Sequence, residues 1–331
     1  MAHLPVRALI RVARYRARLP MKNGLIALAV LACTACGTPF VAATTPAEVV
    51  QPDGVKHAQG QFDGVGKAKL FWQSWSASTK VQKRGALVVV HGLKDHSSRY
   101  EGFARELALH GYDVWAFDLR GHGHSSGNRV ATLLFDDYVM DLDMFLTRVL
   151  LEENVPVFVF GHSMGGAIVT LHSLMYHSNV RGMILSAPAL ETGISGAKIH
   201  ATNATDSIFP DFDVFDLDVN HFSRDPAVVR DVRKDPLVYQ GAASAHMGAE
   251  LIGGIQTIDA SMEDVRVPLL LLHGKADLVT TPEGSKELFK RAASKDKTLK
   301  LYGNLVHDLL HEPEHTQVVT DITAWLDART M

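Results

Sequence analysis

The 331-residue sequence has very little cysteine, since Cys33 and Cys36 are the only two. The long remainder therefore cannot form a disulfide-stabilised domain, hold zinc through cysteine or use a thiol as a nucleophile. Basic charge is scarce in the same region, because residues 48–331 carry 27 Lys and Arg against 36 Asp and Glu, a net charge of −9. An acidic surface without a basic stripe does not attract a polyanion, so we expect no nucleic-acid partner.

Long hydrophobic runs are also missing, and the apolar run Leu25–Ala32 is far shorter than the roughly 20 residues that span a bilayer. It follows an arginine-rich stretch and ends at the tetrapeptide VLAC, the layout of a bacterial lipoprotein signal. We therefore predict export to the bacterial cell envelope, cleavage before Cys33 and membrane attachment through a lipid on Cys33. Three alternatives remain: Cys36 as the modified residue, a plain secretory peptide, and a start at Met21 instead of Met1.

The chain after this signal alternates between short apolar runs and helical patterns, which predicts an α/β fold with a mostly parallel central sheet and helices on both faces. The predicted strands are 70–75, 86–91, 113–118, 155–161, 182–186, 268–273 and 298–302. The predicted helices are 98–110, 136–153, 164–177, 282–294 and 314–328.

A long interval without a clear strand interrupts this alternation, and we interpret it as an inserted helical cap. It is acidic, with 11 acidic and five basic residues over 191–262. The predicted organisation is a signal at 1–36, a tether at 37–60, a core at 61–188 and 266–331, and the cap at 189–265.

The sequence GHSMGG at 161–166 follows a predicted strand and precedes a predicted helix. A G-x-S-x-G motif in that context is typical of a nucleophile elbow, in which a sharp turn lifts the serine above the edge of the sheet. Glycine on either side prevents a collision between strand and helix. We therefore predict Ser163 as a catalytic nucleophile.

A serine nucleophile needs a histidine base and an acid that orients it, and on sheets with this elbow the chain order is serine, acid, histidine. Asp277 follows the strand PLLLLHG, and His307 follows the next predicted strand. Both positions are at the carboxyl ends of strands, where the sites of open α/β sheets lie. The sequence thus predicts the triad Ser163, Asp277 and His307.

Such a triad also needs two backbone N–H groups that bind the developing oxyanion. Met164, directly after the nucleophile, is one predicted donor. Leu93 is the other, because it follows the predicted strand 86–91 and Gly92 lets the backbone come close. The predicted chemistry uses no cofactor and no metal, since His307, His311 and Glu312 lack the H-E-x-x-H spacing of a zinc site.

These motifs together resemble the monoacylglycerol lipase branch of the α/β-hydrolases, the lysophospholipase-like group. The resemblance covers about 240 residues and rests on HGLKDHSSRY (91–100), DLRGHGHSSG (118–127), GHSMGG (161–166), LSAP (185–188), LDVNHFSRDP (217–226), LHGKAD (272–277) and VHDLLHEPE (306–314). The chain departs from the family at Lys94 and Asp95, where glycine and glutamate are usual, and at the order Tyr302-Gly303-Asn304.

The resemblance implies the α/β-hydrolase fold and hydrolysis of esters with one long acyl chain, which is a lipid or small-ester substrate. It also implies a cap that lines an acyl tunnel, for which Phe209, Phe212 and Phe215 are candidate lining residues. A lysophospholipase, general carboxylesterase or thioesterase would use the same triad, and the acidic cap leaves an aminopeptidase open. A surface-binding module without catalysis is a further alternative.

Overall fold

The computed structural model describes residues 49–77, 81–176, 179–190, 196–215 and 217–330. Its eleven strands in these ranges are β1 Val49–Val50, β2 Lys56–Asp63, β3 Lys69–Ser76, β4 Gly85–Val90, β5 Tyr112–Phe117, β6 Val157–His162, β7 Gly182–Ser186, β8 Asp213–Phe215, β9 Ala243–Ser244, β10 Leu269–Gly274 and β11 Lys297–Tyr302. The helices of the same ranges are α1 Glu101–Leu109, α2 Phe135–Glu152, α3 Met164–Met175, α4 Gly196–Ile208, α5 Pro226–Lys234, α6 Ala245–Asp259, α7 Pro282–Arg291 and α8 His315–Asp327.

A nine-stranded sheet in the order β1-β2-β3-β5-β4-β6-β7-β10-β11 forms the centre of the described chain. In this sheet the neighbouring strands β5, β4, β6, β7, β10 and β11 pair in parallel. Strands β1, β2 and β3 pair antiparallel with their neighbours. This is the mostly parallel sheet that the apolar runs predict, and the α/β fold class is confirmed.

Both faces of the sheet are buried, which explains why the inner strands are apolar without alternation. Along β4, Val88 and Val90 belong to the apolar core on one face, and Leu87 and Val89 to the core on the other. Helices α2, α3 and α7 contribute to the first core, and α1 and α8 to the second. The parallel strands all run in one direction, so the loops after β4, β6, β10 and β11 meet at one edge.

The start of the sheet differs from the predicted tether at 37–60. Residues 49–50 and 56–60 already belong to β1 and β2. The sequence of β2, KHAQGQFD, has few apolar residues because none of its side chains is fully buried. A half-exposed strand near the edge of a sheet lacks the apolar pattern that identifies the inner strands.

The interval between β7 and β10 holds α4, α5 and α6 together with a small ribbon of β8 and β9. Helix α6 packs on α3 and contributes Met247, Ile255 and Ile258 to the first core. A separate small core of Phe222, Val232 and Val238 lies nearer the chain's C-terminal loops. The described part of this interval is thus mostly helical with one short ribbon, and its role as a cap with the boundaries 189–265 stays a prediction.

Candidate active site

Ser163 lies in a strained turn between β6 and α3. Its φ of 54° and ψ of −120° are outside the regions that a non-glycine residue ordinarily adopts. The flanking glycines make the turn possible, because a Cβ at Gly161 would lie 2.5 Å from the Gly165 carbonyl oxygen and one at Gly165 2.2 Å from that of Val90. The turn therefore has the geometry of a nucleophile elbow.

The loops after β10 and β11 bring the predicted acid and base together. His307 Nδ1 and Asp277 Oδ2 are 2.8 Å apart, and both side chains are buried. The ring of His307 also contacts the elbow, since its centroid is 4.7 Å from that of His162, the residue before Ser163. The three predicted triad residues therefore come from three loops at one edge of the sheet.

Asp277 is surrounded by donors on both carboxylate oxygens. Oδ1 accepts hydrogen bonds from the backbone N–H groups of Val279 and Thr280, at 2.8 and 3.0 Å. Oδ2 faces His307, the Thr280 hydroxyl at 3.0 Å and His273 Nε2 at 3.2 Å. Burial alone would raise the pKa of Asp277, but the neighbouring His307 and the hydrogen bonds from His273 and His307 lower it far below its ordinary value. The acid is thus held as a carboxylate.

Thr280 and His273 are site residues that the sequence reasoning missed. Thr280 Oγ1 lies 3.0 Å from the carbonyl oxygen of Ala187 and 3.2 Å from His307 Nδ1, besides its contact with Asp277. His273 is fully buried, with its Nδ1 2.8 Å from Ser285 Oγ and its Nε2 2.9 Å from the Thr280 carbonyl. Both residues lie within four positions of Asp277 in the sequence, and this closeness could have identified them as site residues. Together they restrain Oδ2 of the Asp277 carboxylate.

The two predicted oxyanion donors belong to segments that adjoin Ser163. A Cβ at Gly92 would be 3.1 Å from the Ser163 Cβ, so the loop before Leu93 passes directly beside the nucleophile. Within the ranges that the structure describes, the Leu93 N–H donates to no protein acceptor. Met164 is the first residue of α3, where a helix leaves its N–H groups without an intrahelical partner. Both N–H groups are therefore available to an anion.

His91 holds this oxyanion loop in place. Its Nδ1 lies 2.7 Å from the Gly92 carbonyl oxygen, and its Nε2 accepts the N–H of Leu119 at 2.9 Å. This pattern requires a neutral ring with the proton on Nδ1. Burial, the largest effect, lowers the pKa of His91 and so favours the neutral ring.

The phenylalanines predicted to line an acyl tunnel are not buried where the structure describes them. Phe209 and Phe212 are 64% and 63% exposed, so their rings face solvent in this conformation. The side chain of Phe215 lies outside the described residues. Phe222, which the sequence reasoning passed over, is instead the cap ring beside the site, with its centroid 5.9 Å from that of His307.

The remaining predicted features concern lipid attachment, membrane spans and metals. Cys33 lies outside the described residues. No described helix combines the length and apolar character needed to cross a bilayer. Among the residues described, no three or more His, Cys, Asp or Glu side chains are arranged to hold a metal ion.

Comparison with known proteins places this geometry in a family. The model of the Hydrolase_4 family, whose description is serine aminopeptidase, S33, matches residues 81–314. The chain belongs to this family. Among its relatives, the monoacylglycerol lipase of Mycolicibacterium smegmatis is 34% identical over 275 residues, which cover 81% of this chain and 96% of that protein. Human monoglyceride lipase is 31% identical over 280 residues, or 83% and 89% of the two chains.

Solved structures of the family agree with this placement. The monoacylglycerol lipase of Paleococcus ferrophilus superposes with a TM-score of 0.70 at 30% identity, covering 78% of this chain and 99% of that one. A soluble variant of the Saccharomyces cerevisiae monoglyceride lipase, solved with a substrate analog, gives a TM-score of 0.72 at 22% identity over 89% and 100% of the chains. The chain is a hydrolase with the α/β-hydrolase fold, and the resemblance found in its motifs is confirmed.

Proposed function

We propose that this protein is a monoacylglycerol lipase that releases a fatty acid and glycerol through an acyl-enzyme on Ser163. The observation that carries the proposal is the buried Asp277–His307 pair beside a serine in a strained elbow. The relatives from Mycolicibacterium smegmatis and human, which match this chain over most of their length, are monoacylglycerol lipases. The resemblance supports the same substrate class for this chain.

In the proposed reaction, Ser163 Oγ attacks the ester carbonyl carbon while His307 Nε2 accepts the hydroxyl proton. The carbonyl oxygen becomes an oxyanion that accepts hydrogen bonds from the N–H groups of Leu93 and Met164. Collapse breaks the ester C–O bond, and His307 returns the proton to the departing glycerol oxygen. Asp277 accepts a hydrogen bond from the Nδ1 proton throughout and so keeps the base in the correct tautomer.

Water then completes the cycle. His307 takes one proton from a water molecule, whose oxygen attacks the acyl carbon, and the second oxyanion uses the same two donors. Cleavage of the bond to Ser163 Oγ frees the fatty acid, and the proton on His307 restores the serine hydroxyl. No group outside the chain and the water is needed.

The experiment that tests this function compares the wild-type protein with Ser163→Ala on long-chain monoacylglycerols and on a fluorophosphonate probe. We expect hydrolysis and covalent labelling by the wild type and loss of both in the variant. Hydrolysis that persists in Ser163→Ala would contradict the proposal. A wild-type protein that neither hydrolyses esters nor reacts with the probe would instead be a binding module.

Lysophospholipids, short p-nitrophenyl esters and acyl thioesters belong in the same panel, because the same triad serves each of them. An aminopeptidase would need a free carboxylate that binds the substrate ammonium group. Asp95 is the acid nearest the oxyanion loop in sequence, and it is already bound by Arg99 at 3.0 Å and by the Tyr100 hydroxyl at 3.0 Å. This pairing favours an ester over a peptide substrate.

We also propose that the protein is exported and anchored in the bacterial envelope by a lipid on Cys33. The support is the short apolar run followed by VLAC, and an acidic chain beyond it that anionic lipid would repel. Mass spectrometry of membrane fractions from cells that carry Cys33→Ser or Cys36→Ser identifies the modified residue. Membrane retention of Cys33→Ser without any attached lipid would contradict the anchor.

A further inference from the structure

The cap touches the loop that carries His307 through a short segment, residues 222–225, which we call the strap. Its backbone lies alongside residues 308–312 of the histidine loop. The Asp308 N–H donates to the Phe222 carbonyl oxygen at 2.7 Å. The Ser223 hydroxyl donates to the His311 carbonyl oxygen at 2.8 Å. The first bond is made by the residue directly after the catalytic base.

Glu312 forms the other end of this contact. Its Oε1 accepts the backbone N–H of Arg224 at 2.6 Å, and its Oε2 accepts Arg224 Nε at 2.5 Å. The Glu312 residue is only 1% exposed, although the Arg224 side chain is 34% exposed. When both oxygens of a buried carboxylate bind one partner residue, the contact fixes the orientation of that partner as well as its distance.

The strap also has an apolar side that reaches the site. Phe222 forms a small apolar cluster with Val232 and Val238 of the cap, and Val279, which lies two residues after Asp277, packs against this cluster. Its ring is 5.9 Å from that of His307. The strap therefore contacts the loops of both the acid and the base, whereas Phe209 and Phe212 of the same cap face solvent.

A second contact holds the histidine loop from the core side. Arg99 Nη2 donates to Asp308 Oδ2 at 2.8 Å, and His311 Nε2 lies 2.9 Å from the Arg99 carbonyl oxygen. The loop is thus held between the core and the strap, with Asp308 bonded to both. Removing one side leaves His307 restrained by Asp277 and the remaining side alone.

We propose that Glu312 and Arg224 are positioning residues, which hold the strap against the histidine loop and thereby keep His307 aligned with Ser163. The inference rests on the proposed function of His307 as the base. A displacement of about 1 Å at a reacting group can lower a rate on the order of 100-fold, so a small movement of this loop has a large effect on turnover. Substrate can bind before the base is aligned for the chemical step, so we expect substrate affinity to change little.

Glu312→Gln tests the proposal. Both partners of the carboxylate are donors, so an amide must turn its NH₂ group toward one of them and lose that bond. We expect kcat for a short p-nitrophenyl ester and the rate of fluorophosphonate labelling of Ser163 to fall together by roughly 10- to 100-fold. KM should stay within about threefold of the wild-type value, because the change acts on the alignment of the base in the chemical step.

Two variants of Arg224, one without the side chain's bonds and one that keeps its charge, provide a second measurement if Glu312→Gln does not fold. Arg224→Ala keeps the backbone bond to Glu312 and loses the side-chain bonds to Glu312 and Glu314, so we expect a smaller fall of about fivefold in kcat. Arg224→Lys keeps the positive charge and should recover part of that loss. Glu152→Gln is the matched control, since Glu152 forms an exposed pair with Arg148 at the end of α2.

The inference would be overturned by a kcat within twofold of wild type in folded Glu312→Gln or Arg224→Ala, or by a higher KM at unchanged kcat. A fall in melting temperature without a fall in kcat or labelling rate would do the same, because it indicates a structural role only. A wild-type protein that labels but does not hydrolyse esters would refute the proposed substrate and leave this test valid, since the labelling rates still compare the variants.

Discussion

Replacement of Asp277 by asparagine gives the sharpest test of how the site works, because the structure fixes the orientation of the new amide. The backbone N–H groups of Val279 and Thr280 both donate to Oδ1, and neither can become an acceptor. The oxygen of the asparagine amide must therefore occupy that position. The NH₂ group of the amide is then directed at His307 Nδ1, which lies 2.8 Å from Oδ2 in the wild type.

An amide N–H in that position needs a lone pair on Nδ1, so it forces the histidine proton onto Nε2. A ring with that tautomer cannot accept the proton of Ser163. The same loss of tautomer in a serine protease triad lowers kcat by about 10⁴-fold, and we expect a loss of this order, about 5 kcal/mol in activation free energy. The Thr280 hydroxyl can rotate to donate to the Ala187 carbonyl oxygen alone, so the loop itself should remain in place.

Steady-state hydrolysis of a p-nitrophenyl ester by Asp277→Asn measures this loss, with the fluorophosphonate labelling rate as a second reading. Asp264→Asn is the control, since Asp264 is an exposed carboxylate that pairs loosely with Arg266 at 3.9 Å. A kcat of folded Asp277→Asn within tenfold of wild type would refute the argument, because it would mean that Asp277 does not set the tautomer of His307.

Three further predictions follow from distances and burial around the same site. Thr280→Val removes a hydroxyl donor to the Asp277 carboxylate, so we expect kcat to fall roughly tenfold at constant KM, and an unchanged kcat would show that the hydroxyl bonds only to Ala187. Gly165→Ala places a Cβ 2.2 Å from a backbone oxygen and should abolish folding or sharply lower the melting temperature, whereas Gly253→Ala in α6 has open space and should stabilise by about 0.5–1 kcal/mol. Burial, followed by the neighbouring His307, lowers the pKa of His162 from 6.5 to about 4, so the unfolded chain takes up a proton first and stability falls as the pH decreases below about 6.5. At pH 5 the resulting loss in the free energy of unfolding is about 2 kcal/mol. In urea unfolding, the loss of stability between neutral pH and pH 5 should therefore be smaller in His162→Gln than in the wild type by about that amount.

The sequence predicted the inner strands and the triad loops because local patterns encode them. A strand buried on both faces needs a continuous apolar run, as in GALVVV of β4, and a serine elbow needs glycine at fixed offsets. The three proposed triad residues lie after three strands of one parallel sheet, so their positions at the carboxyl ends of these strands were sufficient to predict that they meet at one edge. These features depend on short stretches of sequence and on topology alone.

Other features depend on contacts between distant residues and leave no local pattern. Arg224 and Glu312 are 88 positions apart, and nothing in either neighbourhood identifies the other as its partner. Strand β2 is polar because it is half exposed, and its pairing with β3 determines its structure. The acyl wall predicted from the cap phenylalanines depended on a local pattern that was not sufficient. Phenylalanines at a spacing of three do not indicate which side of the cap they face.

The strained conformation of Ser163 depends both on the local glycine pattern and on contacts with distant residues. A residue at φ 54° stores on the order of 1–3 kcal/mol and stays there only if its surroundings hold it. Its N–H donates to the Ser186 carbonyl oxygen at 3.0 Å, and its own carbonyl accepts the N–H groups of Gly166 and Ala189, each at 2.9 Å. Ser186 is the last residue of β7, and Ala189 lies at the predicted start of the cap. The elbow is therefore held by the sheet and by the start of the cap, and the histidine by the strap, so we expect changes in the strap to alter turnover before they alter the stability of the sheet.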